Sequence, residues 1–481
     1  MKNIKYSITV ILSLFLMIGC TSDEEGFNYD QDRSYDVPAE TLFANAQREL
    51  ADQMTTPEVN LNPFRYFNQY WAATQYPTES RYNLTQRTVP DNLWTNLFRD
   101  VLGNLESAKK IVNQSPTGTE QKNKLAIIEI LQVYTFQILV DTFGDIPYTE
   151  AINPTIVLPK YDNDSDIYPK LITRLDAAIN NLNNSAGSFA SGDIIYGGNV
   201  AKWRLFANSL KLKLGINLAD VNTNLAKSTI ESAFTGGVIV TNNNNAKFAY
   251  TASAPFYNPI YDQLVASNRN DFVASATIVN AMNLLNDPRI SSYFAPRTSD
   301  NTYVGGINGA ANIYANFSPI SNKIKSPDFP GLLFEATEVN FYLAEAAARG
   351  YSVGNTADYY YSNAIRSSFE YYGLTATQAT AYLAQPQVNY ATAAGTYKQK
   401  IGTQAWIAFF NRPFEGWNSY RRLDSPTLVA ANNAIPAAQG KVPIRFPYPV
   451  NESTVNRENL QAAITAMGGN TLQTRVFWDV N

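Results

Sequence analysis

Residues 125–140 read LAIIEILQVYTFQILV. On a helix this run is apolar nearly all the way round. A surface helix shows one apolar stripe, whereas a helix apolar on every side must be enclosed by other elements. The helical pattern extends over 119–142, so the spacing predicts a central, buried helix with others layered on it. Neighbouring segments supply those layers. Residues 38–54 (PAETLFANAQRELADQM) put Leu42, Phe43, Ala46 and Leu50 on one face, with Asp36 as a cap. Residues 63–75 continue the helical pattern with Phe64, Phe67 and Trp71. Pro90 opens a long helix striped by Leu93, Leu97, Val101, Leu105, Ala108 and Val112, and 164–183 and 199–219 add two more. Antiparallel helix pairs joined by short loops predict a solenoid-like array.

The middle of the chain changes character. Residues 236–240 (GGVIV), 242–245 (NNNN) and 246–250 (AKFAY) read as strand, turn and strand. Residues 251–270 and 296–330 are rich in Pro, Asn, Ser, Gly and Tyr and read as long ordered loops, with a helix at 275–286 between them. Helices resume at 336–349 and 355–372. There Gly350, Ala357, Tyr361, Ala364 and Ile365 have the spacing of a tetratricopeptide-type helix pair. The expected class is mainly α: tetratricopeptide-like helix pairs packed against an irregular, loop-rich remainder with a few short strands. After residue 36 no linker composition interrupts the chain. Residues 37–481 therefore read as one body, with helical repeats mainly at 37–235 and 336–372, a loop-rich insertion at 236–335 and a C-terminal segment at 373–481.

Composition narrows the chemistry. The 481 residues contain no histidine and one cysteine, Cys20. Histidine-based triads, histidine–cysteine nucleophiles and the usual zinc sites are thereby excluded. The formal charge is −4, which argues against a nucleic-acid partner. Charged residues make up 16%, against about 25% in typical soluble domains. Asparagine and 30 tyrosines supply much of the remaining polarity.

The N-terminus reads MKNIKYSITVILSLFLMIGC. Lys2 and Lys5 precede a short apolar stretch at 8–19, which is too short to span a bilayer and has the layout of a secretory leader. The sole cysteine sits where such a leader would end. This resembles a bacterial lipobox, with Met17 in place of the usual leucine, and implies a signal peptide over 1–19 and lipidation at Cys20. Removing the leader takes two lysines with it and moves the formal charge from −4 to −6. Residues 20–36 then form a polar tether, whose acidic run at 23–25 resembles an export signal toward the cell exterior.

Further motifs occur in order along the chain. They are 141–151 (DTFGDIPYTEA), 159–162 (PKYD), 192–199 (GDIIYGGN) with Lys202, Trp203 and Asn208, and 286–289 (NDPR). Residues 344–346 (AEA), 403–406 (TQAW), Glu415, Trp417, Arg421 and Arg422, 443–449 (PIRFPYP) and Trp478 follow. Together with the lipobox they resemble the SusD/RagB family of outer-membrane lipoproteins over nearly the whole chain. Most of these residues read as structural. Asp145 and Asp193 suit caps and turns better than catalysis, and Glu415, Arg421 and Arg422 suit an ion-pair network better than an anion site. Asp271 and Asp287 near Asn-rich loops have the chemistry of calcium ligands, but no EF-hand-type loop is present, and no metal or other cofactor is expected.

The resemblance implies a binding protein, not an enzyme. It implies a lid on a SusC-like TonB-dependent transporter that captures oligosaccharides, or in some members peptides, at the outer-membrane surface. A carboxylate-based glycoside hydrolase is one alternative, since that chemistry needs no histidine; a helical scaffold that binds other proteins through its repeats is another. Sugar capture calls for flat aromatic faces beside Asn, Arg and Asp. One cluster of that chemistry is Tyr70, Trp71, Gln75, Tyr76, Arg81, Tyr82 and Asn83; a second is Phe256, Tyr257, Tyr261, Asn268 and Arg269; a third is Tyr303, Asn312, Tyr314 and Asn316.

Overall fold

A computed structural model describes residues 37–480. The leader, Cys20, the tether and the expected cap Asp36 lie outside the described residues. Among the longer helices, α1 (Ala39–Thr55) comes first. Next, α2 (Val89–Thr95) runs through a π-helical stretch at Asn96–Leu102 into α3 (Gly103–Gln114). Then come α4 (Thr119–Phe143), α5 (Asp164–Asn181), α6 (Val200–Asn217), α7 (Thr223–Thr235) and α8 (Ala276–Leu284). The chain continues with α9 (Ala336–Ala348), α10 (Ala357–Tyr371), α11 (Ala376–Leu383), α12 (Tyr397–Ala408), α13 (Pro413–Leu423) and α14 (Arg457–Ala466). The fold is mainly α. Successive helices pair as α4 with α5, α6 with α7, and α9 with α10, while α1 packs on α3.

Helix α4 is the apolar run. By length and composition it would pass for a membrane span, yet 89% of its most apolar window is buried inside the body, so it is the core helix. Gly144 stops it in the left-handed region at φ +80°, and its N–H donates to the Val140 carbonyl. Near the end of α4 lies Asp141, fully buried. Its carboxylate accepts hydrogen bonds from Gln137, from the Tyr168 hydroxyl on α5, from Asn418 on α13 at 3.2 Å and from Trp478 Nε1 at 2.9 Å.

The 192–199 motif clamps α1 to α6. A Cβ on Gly192, which has φ +83°, would sit 2.4 Å from the Glu40 carbonyl, so only glycine permits this approach. Asp193 accepts from Trp203 Nε1 and the Gly198 N–H, both at 2.8 Å, and from the Tyr196 N–H. Asp145 accepts from the Asp164 N–H at 2.8 Å. Both carboxylates therefore hold local structure. In the tetratricopeptide-like pair, Tyr361, Ala364 and Ile365 are buried against α9, and Gly350 turns the chain with φ +81°.

A charged cluster lies inside the helical core. Lys213 Nζ is 2.6 Å from Glu415 and 3.6 Å from Glu338. Arg412 pairs with Glu338 and donates to the Leu333 carbonyl. Arg422 pairs with Glu345 at 3.1 Å, and Arg421 Nη1 donates to the Ile444 carbonyl at 2.9 Å. Glu415, Arg421 and Arg422 thus serve the ion-pair and hydrogen-bond network.

Two expected elements differ. The helical pattern over 63–75 breaks into a one-turn helix at Phe64–Phe67 and a strand β1 (Trp71–Ala73). Strand β2 (Ile146–Pro147) pairs with β3 (Tyr161–Asp162). Residues 236–240 form no strand. β4 (Ala246–Phe248) instead pairs with β6 (Gly331–Phe334), far along the chain, and β1 pairs with β5 (Phe272–Ala274) in the register Trp71↔Ala274. Both differences arise because long-range antiparallel pairing outweighs the local pattern. The carboxylates weighed for calcium are taken by arginines: Asp287 pairs with Arg289 at 2.6 Å and Asp271 with Arg269 at 2.7 Å. Among the described residues no cluster of three metal-ligating side chains occurs.

Glu335, 4% exposed at the start of α9, sits 3.9 Å from Arg412. Burial pushes its carboxyl from 4.5 up to about 7, with Arg412 opposing. Between those values the folded state holds a proton that the unfolded chain has released, so stability falls as pH rises through that window. Glu335→Gln is expected to remove this slope. Relative to wild type, the variant gains on the order of 2–3 kcal/mol between about pH 4.5 and about pH 8, read from urea midpoints. A pH-independent difference between the two proteins would contradict this.

Candidate functional site

One side of α1 carries Thr41, Ala44, Asn45, Arg48 and Asp52, at helical spacing. The end of β4 and the loop after it, residues 248–257, face that side. Pairing with β6 fixes β4, and Tyr250 then reaches α1, its hydroxyl donating to Asp52 Oδ1 at 2.8 Å. Arg48 Nε lies 3.4 Å from Asp52 Oδ2, and its guanidinium stands 4.9 Å from the centre of the Phe256 ring. Together these residues enclose a cavity of about 370 Å³ with Ile194, Phe248, Ala249 and Tyr257 in its walls. Burial pushes the Asp52 carboxyl up to about 6, against the Tyr250 hydroxyl and Arg48, which favour its charge.

A second cavity, of about 520 Å³, shares Arg48, Asp52 and Tyr257 with the first and adds Glu49, Asn96 and Asp262. A third, of about 290 Å³, is lined by Glu58, Asn60, Gln75, Tyr76, Arg87, Gln263, Arg269 and Asp271. The linings of the second and third share no residue but alternate along 56–61 and 259–263, which sets the three cavities side by side as a seam. At one end Phe256 is 48% exposed with Arg48 behind it; at the other Tyr76 is 59% exposed, with Arg87 5.6 Å from its ring centre. A cation behind an exposed ring holds its orientation while leaving the other face open.

The seam joins parts of two sequence clusters. Gln75 and Tyr76 meet Arg269 at the third cavity, and Phe256 and Tyr257 line the first. Tyr261 packs on Tyr257 with ring centres 5.0 Å apart. Asn268 is exposed in the following turn.

Other members sit elsewhere. Tyr70, Trp71 and Tyr82 are core residues, at most 1% exposed. The Tyr70 hydroxyl donates to the Trp406 carbonyl at 2.5 Å, Arg65 stacks on Trp71 at 4.7 Å, and Tyr82 Oη accepts from the Ala431 N–H at 3.0 Å. These three rings present no face to solvent, which corrects their reading as stacking surfaces. Arg81 Nε donates to the Gly309 carbonyl at 2.7 Å, and Asn83 closes its own turn by accepting from the Gln86 N–H. Asn312 is buried and donates to the carbonyls of Ala73 and Ile307. Tyr303 and Tyr314 are half-buried away from the seam linings, and Asn316 is exposed. Arg48, Asp52, Tyr250 and Arg87 were not singled out from sequence. Arg48 and Asp52 at i, i+4 look like any solvated helix face.

Trp71→Ala is expected to cost about 3–5 kcal/mol, and Tyr76→Ala less than about 0.5 kcal/mol. Denaturant melts of the two variants check this; equal losses would place Tyr76 in the core.

Comparison with known proteins bears on what the seam does. Residues 31–449 match a SusD-like family model described as starch-binding and associating with the outer membrane. A solved structure described as a chitin-binding protein is 27% identical with a TM-score of 0.81, covering 92% of this chain and 100% of that one. A chitin-binding SusD homologue from Flavobacterium johnsoniae is 28% identical with a TM-score of 0.78 over 92% and 98%. A SusD homologue from Bacteroides uniformis is 30% identical with a TM-score of 0.77 over 93% and 100%. No curated protein matches.

Proposed function

This chain belongs to the SusD-like family, and on that premise we propose that it is a cell-surface binding protein that captures oligosaccharides at the α1 seam. It hands them to a SusC-like TonB-dependent transporter. The observation that carries the reading is the pair of exposed rings, Tyr76 and Phe256, each backed by an arginine, at the two ends of one seam. Pyranose rings lay their C–H faces on such aromatic surfaces, while carboxylates, amides and guanidinium groups take the hydroxyls. Asp52, Asn60, Gln75, Asp262 and Arg269 supply those groups along the seam. The family's description names starch and two similar structures are described as chitin-binding, so membership alone does not choose the glycan.

The role is binding, with no bond made or broken. Cys20 carries the lipid that anchors the protein to the outer membrane, facing the cell exterior. A peptide ligand is the second reading. Its support is the mixed charge of the third cavity, where Glu58, Arg87, Arg269 and Asp271 would suit charged side chains.

Calorimetry against soluble glycans and a peptide library separates the two. Tyr76→Ala and Phe256→Ala are each expected to weaken glycan binding by roughly 3–10-fold, the worth of one stacking contact. Binding of peptides alone would sink the glycan reading. Cys20→Ser is expected to move the protein from the membrane to the soluble fraction, and retention at the membrane would rule out the lipid anchor. Purification of the native protein from detergent extracts is expected to bring a TonB-dependent barrel with it.

A further inference from the structure

The cavity at the Phe256 end differs in chemistry from the rest of the seam. Its walls are mostly apolar, with Ala44, Ile194, Phe248, Ala249 and Phe256, and Thr41, Asn45 and Thr251 add a few polar groups. At one end stand Asp52 and Arg48, an acceptor and a donor side by side. The Arg48–Asp52 contact, at 3.4 Å, is loose, and the Tyr250 hydroxyl occupies only one oxygen of the carboxylate. Asp52 therefore keeps lone pairs for an N–H donor, and Arg48 keeps N–H groups for a carbonyl. A volume of about 370 Å³ is in the range of a single ligand pocket.

Resting on the glycan reading above, we propose that this cavity is a subsite for a 2-acetamido sugar. The acetamido methyl lies against Ala44, Phe248 and Ala249. The amide N–H donates to Asp52 and the amide carbonyl accepts from Arg48, while the sugar ring stacks on Phe256. Each part of the group meets its chemical complement. An ester of the same shape lacks the N–H that Asp52 accepts. A free amine can meet Asp52 but leaves the apolar wall and the Arg48 donors without a partner. A hydroxyl at the same carbon can donate to Asp52 but reaches neither Arg48 nor the apolar wall.

The test compares β-linked tetramers that differ only at that carbon: the N-acetylglucosamine tetramer and cellotetraose, titrated calorimetrically into the full-length protein. The acetylated tetramer is expected to bind at least tenfold more tightly. Ala44→Leu and Ala249→Leu fill the apolar wall from opposite sides. Each is expected to abolish that preference by lowering the affinity for the acetylated tetramer to that for cellotetraose. Thermal melts show which variant is folded, and either one suffices. Equal binding of the two tetramers would overturn the subsite while leaving the glycan reading intact. A preference that survives both filled variants would place acetamido recognition elsewhere and also overturn it. Binding of neither tetramer, with starch oligosaccharides bound, would reject the acetamido class alone. Binding of no glycan would remove the reading on which the proposal rests.

Discussion

The structure depends on a carboxylate that never meets water. Asp141 sits at the end of the core helix and gathers donors from Gln137, Tyr168, Asn418 and Trp478. Burial raises its pKa, while Arg421, Tyr168 and Trp478 favour the charged form. An isolated charge there would be ruinous, so each donor must be in place, and each comes with the element that carries it. Through this one group, α4, α5, α13 and the segment around Trp478 are held in one mutual arrangement. Lys213 and Arg412 play a related part nearby. They bind Glu338 and Glu415, which come from α9 and α13. Hydrophobic burial holds the helices together; these polar clusters specify how they fit.

Much of this architecture was legible because helices announce themselves locally. The run at 125–140 could only be enclosed, and α4 is. The spacing of Tyr361, Ala364 and Ile365 placed them in the face that packs on α9. Strands were harder, because β4 meets β6 some eighty residues later and no local pattern says so. The segment 63–75 failed for the same reason: its partner, β5, lies two hundred residues away.

The candidate site was half legible. Tyr76, Phe256 and Tyr257 were picked for their chemistry and do border the seam. Tyr70, Trp71 and Tyr82 were picked on the same grounds and are core, because an aromatic ring suits a core as well as a sugar. Spacing cannot tell the two apart. The polar half of the seam was hidden for a different reason. Arg48 and Asp52 gain their meaning from Tyr250 and Phe256, two hundred residues downstream, and from nothing in α1 itself.

The link from Asp141 to Trp478 spans 337 residues. A nascent chain that has made its innermost helix must wait for all of that sequence before the buried charge is fully partnered. Until then α4 is an apolar rod with an unmet carboxylate at its end, and the native core cannot close ahead of synthesis. Closure of the core thus belongs to the end of synthesis, when the segment around Trp478 has emerged.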